Sequence, residues 1–386
     1  MAELSREHVL IAGVTTRPFA VSAARAGYRV TAIDAFGDVD LRAVAEVILA
    51  PSNPGRRNGT TAAVAAGALV KAELAAYTSS FENYPRAVTS LSVGRRLLGN
   101  TPVTLARVRD PIELMNVLRR NGLVAPETRS RLPEGNPWDG PWLLKPRRSG
   151  GGHGIRRWFP GIPVPRSMYL QQRIAGTPGS ISFVADGTAA VVLGFSRQLV
   201  GDPHVGAQRY RYCGSILGNR QAHLFRQQEK LLERASEVAT VVTREFQLVG
   251  LNGIDFIARQ GVPFPIEVNP RFSSSMELIE RAHGVSMFEV HAQACQGVLP
   301  KAPPANLRVE GKAIVFARRA TTVREISWAD QKWVADVPHP GEAIQQGRPI
   351  CTVFAAARHP EACRRLLRRR AAAVYRAVKS PRTQAA

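Results

Sequence analysis

The apolar positions of this chain fall into short runs of strand length separated by helical stripes, and their order predicts two kinds of sheet. Residues 8–12 (HVLIA) form an apolar run, followed by a turn and a helix-like segment to about Ala26. A second strand at 28–33 ends at Asp34, an apolar strand lies near 47–49, an Ala-rich helix covers about 60–71, and 74–77 is a further strand. Strands alternating with helices predict a parallel sheet covered on both faces. The segment 78–85 (TSSFENYP) then falls at the C-terminal end of a strand, where open α/β sheets place ligands. Glu82 and Asn83 are candidate substrate contacts there, with helix capping as the competing role. The turn Gly13-Val-Thr-Thr-Arg17 lacks the GxGxxG of a dinucleotide fold, so Asp34 is not read as a cofactor ligand.

From Asn100 the pattern changes. Asp110-Pro111 reads as the N-cap and first position of a helix over 112–121 that stops at Gly122, followed by a Pro- and Gly-rich loop (RLPEGNPWDGP). The strand 142–145 leads into KPRRSGGGHG at 145–154, and 155–159 reads as a strand again. The Lys precedes the glycines and no helix follows, which excludes a Walker loop. The segment reads as a flexible hairpin tip whose backbone N–H groups at Gly150, Gly151 and Gly152, with Ser149, cover phosphates while Lys145 reaches in from the strand. A strand at 168–174 precedes a hairpin, 180–185 and 188–199, turning at Asp186-Gly187. Residues 209–214 alternate charge and aromatic at strand spacing, so Arg209 and Arg211 share a face suited to an acidic substrate or to solvent. A long helix over 221–246 carries Leu231, Leu232, Ala235, Val238, Ala239 and Val242 on one stripe.

That helix delivers the chain into LNGIDFIARQGVPFPIEVNPR at 251–271, two strands about a turn at Gln260-Gly261-Val262. Centring the turn on Gly261 sets Asp255 opposite Glu267, with Asn269 on the same face. Pro263 and Pro265 have no N–H to give, so the parity they share with Glu267 is the non-hydrogen-bonded one, where side chains approach more closely. Two facing carboxylates repel unless a cation lies between them, and this oxygen-donor set suits Mg²⁺ or Mn²⁺. Arg271 adds a fixed positive charge beside it. Short strands at 311–317, 336–341 and 347–354 follow. The final helix, around 359–378, sets Leu367, Ala371, Val374, Tyr375 and Val378 against an Arg-rich side, before a frayed end at Pro381 and TQAA.

Composition changes little. With 386 residues, 45% hydrophobic and 21% charged, the chain has room for two or three domains and is not of a disordered type. No apolar run approaches the ~20 residues of a membrane helix and the start has no signal-peptide layout, so a cytoplasmic protein without a membrane partner is expected. The four cysteines have no CxxC spacing, which argues against a zinc site or a disulfide framework. The net charge of +22 comes from 45 Arg against seven Lys, spread along the chain without an aromatic-interleaved RNA motif. Compositional bias toward Arg explains it more simply than a nucleic-acid partner, though the field would attract nucleotides and acidic substrates.

The order of strand Lys, glycine loop, linker strand, hairpin, long helix and Asp…Glu-x-Asn-x-Arg resembles the ATP-grasp superfamily, carried by WLLKPRRSGGGHG, YLQQRIAGTPGSISFVADG and NGIDFIARQGVPFPIEVNPRFSSSMELIE. The resemblance implies an α/β and α+β chain: an N-terminal Rossmann-like parallel-sheet domain (1–100), two α+β ATP-binding lobes (101–166 and 167–300) and a small β-rich C-terminal region with the basic helix (301–386). It implies ATP and Mg²⁺ (or Mn²⁺), with Lys145 and the glycine loop on phosphates and backbone at Gln172, Arg173 and Ile174 facing adenine. It also assigns Asp255, Glu267 and Asn269 to the metal and Arg271 to the transferring group. Two features depart from the pattern. Gln171-Gln172 stands where the linker often carries an acid, and no Lys occurs between Lys71 and Lys145, leaving Arg109 to take the place of a second phosphate-binding Lys. The segments FGDVDLR, SFENYP and LLGN resemble a group of predicted ATP-dependent carboligases, whose relatives include a tyramine–glutamate ligase that helps build a one-carbon carrier coenzyme. The implied activity is a carboxylate–amine ligase for small molecules that works through an acyl phosphate and releases ADP and phosphate, in coenzyme or amino-acid-conjugate biosynthesis, as a monomer or homo-oligomer. The competing readings are a small-molecule kinase and a basic nucleic-acid-binding protein.

Overall fold

The computed structural model describes residues 6–50, 58–131, 140–219, 221–304, 306–323 and 331–378; most of the Pro-rich loop and the tail with Pro381 lie outside them. Strands β1 (Arg6–Ala12), β2 (Tyr28–Asp34), β3 (Glu46–Leu49), β4 (Leu74–Tyr77) and β5 (Arg96–Leu98) form a parallel sheet in the order β3-β2-β1-β4-β5. Helices α1 (Arg17–Arg25), α2 (Val39–Arg42), α3 (Asn58–Ala68) and α4 (Pro85–Leu91) are its crossovers. Val9 and Ile11 pack with Phe19 and Ala23 of α1, while Leu10 and Ala12 pack with Ala63 of α3 and Val88 of α4. Both faces of β1 are therefore covered, which is why residues 9–12 read as an unbroken apolar run. A single 3₁₀ turn, Phe81–Asn83, follows β4 at the C-terminal edge.

Helices α5 (Pro102–Val108) and α6 (Pro111–Arg120) lead out of this sheet. Asp110 caps α6 by accepting from the N–H groups of Ile112 at 2.8 Å and Glu113 at 3.0 Å. Next come β6 (Thr128–Arg129), β7 (Trp142–Pro146), β8 (Arg156–Trp158) and β9 (Met168–Gln172), an antiparallel sheet in the order β6-β9-β7-β8. Trp142, Leu144, Trp158 and Leu170 make its core. The expected break at residue 166 thus falls ahead of a strand whose Leu170 belongs to the first lobe's core, and β9 stays with that lobe.

The second lobe is an eight-stranded sheet built on β10 (Thr177–Asp186), β11 (Ala190–Val200), β12 (Tyr212–Leu217), β13 (Val249–Arg259) and β14 (Val262–Asn269). Of the later strands β15 (Val309–Phe316), β16 (Thr321–Thr322), β17 (Val334–Ala335), β18 (Ala343–Ile344) and β19 (Pro349–Ala357), three extend it in the order β14-β13-β10-β11-β12-β15-β19-β17. The strands expected to form a separate closing region therefore continue the second lobe's sheet through the β12–β15 ladder. Helix α7 (Gln228–Phe246) lays Leu231, Ala235, Val238, Val242 and Phe246 on one face of it. The helix begins at 228 and not 221, because Leu224 and Phe225 turn into the core and Gln227 takes a positive φ of 49°. Helices α8 (Met276–His283) and α9 (Met287–Ala294) follow the hairpin, and α10 (Pro360–Ala377) packs Leu367, Ala371 and Val374 against β15 and β19.

Candidate active site

The β13–β14 hairpin pairs Asp255 with Glu267. It reaches that register differently from the simple count. The connection is the two-residue loop Gln260-Gly261, with φ of 52° and 70°, a type I′ geometry that joins Arg259 to Val262 and leaves Val262 in the strand. A bulge at Ile266, between the Phe256–Pro265 and Asp255–Glu267 pairs, then restores the expected opposition. Pro263 and Pro265 sit on the turn side of that bulge, so they do not fix the parity of Asp255 and Glu267.

The hairpin forms one wall of a cleft of about 350 Å³ between the four-stranded and eight-stranded sheets. Lys145, Ser149, Gly150, Gly151, Gly152, Gln172, Arg173, Ile174, Asp255, Glu267, Asn269 and Arg271 all border it. Lys145, on β7, is 6% exposed. Its Nζ donates to Gln171 Oε1 at 3.0 Å and lies 5.7 Å from the Tyr169 ring centre. Among the described residues it has no ion-pair partner, so a buried cation faces the cleft with only neutral neighbours in contact. Such a group favours an anion.

Opposite it, Asn269 Nδ2 donates to Asp255 Oδ2 at 3.3 Å, and Arg271 Nη2 donates to Asn269 Oδ1 at 3.3 Å. Burial, with Glu267 alongside, pushes the Asp255 carboxyl up to about 7. Burial also opposes ionised Glu267, but Arg109, Lys145 and Arg271 outweigh it and hold that carboxyl below its ordinary value. Two carboxylates and an amide are hard oxygen donors, and a cation between the two acids would favour the ionised form of Asp255 that burial and Glu267 oppose. The donor set fits Mg²⁺ with phosphate oxygens and waters completing the shell.

A pH dependence follows. A carboxyl whose folded value of about 7 exceeds its ordinary 3.8 contributes stability below the lower value and loses it as pH rises through the upper. With Asp255 as a metal ligand, metal-nucleotide binding would require the ionised form, so affinity would rise with pH to a plateau above about 7, and binding near pH 6 would release close to one proton. Calorimetry in buffers of different ionisation enthalpy reads this; a binding heat independent of the buffer contradicts it.

The glycine loop lies against the second lobe. Tyr212 N–H donates to Gly151 O at 3.1 Å, and Ser149 Oγ donates to His153 O at 2.7 Å. Gly152 has φ +79°, and a Cβ there would stand 1.9 Å from Tyr210 O. Gly152→Ala therefore strains the closed loop by about 1–3 kcal/mol, which weakens nucleotide binding roughly 5- to 150-fold. Thermal unfolding should change little, and unchanged nucleotide affinity would show that the loop does not close on the ligand.

The linker is more committed than expected. Gln172 N–H already donates to Glu127 O at 2.7 Å and Arg173 N–H to Pro141 O at 2.7 Å. Two of the three backbone N–H groups expected to face adenine are thus engaged, and among the described residues the Ile174 N–H shows no backbone partner. Arg109 borders the cleft, with Nη1 2.8 Å from Val268 O and 3.5 Å from Glu267 Oε2, and Nη2 3.4 Å from Ser149 O. Its charge thus lies between the acids and the loop.

Glu82 and Asn83 are buried and do not border the cleft. Both face its arginines: Glu82 Oε1 is 2.9 Å from Arg271 Nε, and Asn83 Oδ1 accepts from Arg109 Nη2 at 2.9 Å. Arg209 and Arg211 are not brought to the cleft. The strand begins only at Tyr212, Arg209 sits in a turn with φ 53°, and Arg211 stacks 3.9 Å from the Phe316 ring centre. The residue between them, Tyr210, lines the cleft instead, as does Tyr212. Sequence reasoning also missed Ser180 of β10, which is registered opposite Asp255, and Gln198 of β11, both bordering the cleft, and the Ser273, Ser274 and Ser275 run that borders it as well. Strand alternation could have pointed to the first pair, and the SSS run directly after Arg271 to the second.

Comparison with known proteins bears on this arrangement. The ATP-grasp domain family matches residues 108–275. An uncharacterized protein of Methanocaldococcus jannaschii is 29% identical over 121 residues, 31% of this chain and 29% of that protein. The chain spans 29% and 25% of the lengths of two curated relatives it matches. The biotin carboxylase domain of Hydrogenobacter thermophilus 2-oxoglutarate carboxylase, in complex with MgADP and bicarbonate, superposes with a TM-score of 0.69 at 13% identity, over 93% of this chain and 88% of that one. The L-amino acid ligase of Bacillus licheniformis gives a TM-score of 0.66 at 15% identity, over 95% and 97%. Residues 108–275 of this chain thus match the ATP-grasp domain family, and the molecule shares the fold of these two structures.

Proposed function

We propose that the protein is an ATP-dependent ligase that joins a small-molecule carboxylate to an amine, releasing ADP and phosphate, in the cytoplasm. The observation that carries this reading is the opposition of Lys145, buried and without an ion-pair partner among the described residues, to the Asp255–Glu267 pair beneath a glycine loop. Two close acids and a buried lysine with no ion-pair contact among the described residues, in one cleft, suit a metal-bound triphosphate.

Asp255, Glu267 and Asn269 would hold Mg²⁺, or Mn²⁺ in its place, which when bound neutralises charge on the phosphates. Lys145 and the backbone of Gly150, Gly151 and Gly152 bind and orient the triphosphate, and the closed loop excludes water. A carboxylate oxygen of the acid forms a bond to the γ-phosphorus as the bond to ADP breaks, giving an acyl phosphate. Arg271 stabilises the negative charge that collects there. A neutral amine nitrogen then attacks the acyl carbon, the carbon–oxygen bond to phosphate breaks, and the amine gives up a proton as the amide forms. Arg109, tied to the glycine loop and to Glu267, replaces the missing second lysine as a phosphate-side charge.

The test is an ADP-release screen of carboxylate and amine pairs with mass spectrometry of the products. An amide appearing with ADP supports the reading. AMP release, a phosphorylated acid as the end product, or RNA binding with a steep salt dependence and no ATP use each overturn it.

A further inference from the structure

The turn after β4 makes an unusual set of contacts. Three consecutive residues of the parallel-sheet domain each meet an arginine of the ATP-grasp domain: Glu82 meets Arg271, Asn83 meets Arg109, and the Tyr84 ring lies 5.5 Å below the Arg148 guanidinium. Arg271 and Arg109 border the cleft, and Arg148 stands at the root of the glycine loop. A part of the molecule outside the nucleotide cleft therefore sets charges within it.

Glu82 is the strongest of the three. It is 1% exposed, and a buried carboxylate is tolerated only beside a cation. Arg271 is its ion-pair partner at 2.9 Å, with Arg271 itself 11% exposed. The pair is held by charge more than by directed bonds. Glu82 Oε2 and Arg271 Nε make no hydrogen bond among the described residues. The other arms of Arg271 reach Phe272 O at 2.9 Å and Asn269 Oδ1 at 3.3 Å, and Asn269 in turn holds Asp255. The guanidinium thus stands between Glu82 on one side and the acid pair on the other. Without the Glu82 charge, the acids left to attract Arg271 in the cleft are Asp255 and Glu267, and Glu267 already feels the Arg271 charge.

We propose that Glu82 is a positioning residue, which holds Arg271 on the acceptor side of the cleft and keeps it from moving further onto the Asp255–Glu267 pair. This rests on the assignment of Arg271 to the transferring group under the ligase reading. It makes the parallel-sheet domain part of the reaction geometry, acting through Arg271 and without touching ATP.

Glu82→Gln preserves shape and removes the charge. Crystal structures of the wild type and the variant with Mg²⁺ and a non-hydrolysable ATP analogue test the placement without turnover. The expected result is an Arg271 guanidinium moved toward Asp255 and Glu267, with Mg²⁺ affinity of the nucleotide complex weakened roughly 10- to 100-fold. In turnover, kcat falls by a similar factor and Glu82→Asp recovers part of it. The double variant Glu82→Gln/Arg271→Met is no worse than Arg271→Met alone, since one residue acts through the other. An Arg271 that stays in place, or losses that add in the double variant, overturn the proposal. A wild type that uses ATP with no carboxylate–amine pair overturns the ligase reading, while the crystal comparison still decides the role of Glu82. Should Glu82→Gln fail to fold, Glu82→Asp enters the same comparison, and an unmoved Arg271 with unchanged Mg²⁺ affinity again counts against it.

Discussion

Glu267→Gln is expected to lower ATP turnover by about 10²–10³-fold or more, with the melting temperature within a few degrees of wild type. The substitution keeps the size of the side chain and removes the one cleft acid that three cations hold ionised. It also ends the repulsion that, after burial, raises Asp255, so the loss of the Arg109 contact and the relief of like charge oppose each other in stability. Activity and stability therefore separate, which a general packing defect would not produce. Steady-state ADP release and a thermal melt on the same preparation suffice. Turnover retained in this variant would remove Glu267 from the metal site.

Lys145→Met is the second large effect. The methionine fills a similar space against Tyr169 while removing a buried charge whose hydrogen bond, among the described residues, is to a neutral amide. Folding should not suffer, because an unpaired buried cation costs stability and methionine does not. Nucleotide recognition should. Loss of a charge-assisted contact to phosphate is worth about 1.5–3 kcal/mol, so kcat/KM for ATP falls roughly 10- to 150-fold, with Gln171 left without its donor. A variant that binds and uses ATP normally would place the triphosphate elsewhere.

Much of this site could be read from the chain because its signals are local. The run of Lys145 and the following glycines, the N-cap at Asp110, the stripe on α7 and the alternation of β13 and β14 each depend on neighbours within a few residues. The Asp255–Glu267 pairing was legible for a partly mistaken reason. A three-residue turn without a bulge and a two-residue turn with one lead to the same opposition. What remained hidden depended on partners far along the sequence. Leu224 and Phe225 delay the start of α7 because the core takes them first. The strand face expected for Arg209 and Arg211 never forms, since Phe316 captures Arg211 and residue 209 enters a turn. The place of Glu82 depends on Arg271, a residue brought to it only by the closing of the whole fold.

The ladder from β12 to β15 sets a limit on how this protein can be taken apart. A fragment cut to the recognisable 108–275 stretch would end β12 as a raw sheet border, with the backbone groups from Gly214 to Leu217 robbed of the partners that 310–313 supply. Such a border invites pairing with another chain, and the fragment would be expected to clump on expression. It would also lose α10, which shields the same end of the sheet. The portion to which nucleotide chemistry is assigned by proposal is therefore not a portable cassette, and grafting it onto another scaffold would require the C-terminal strands to travel with it.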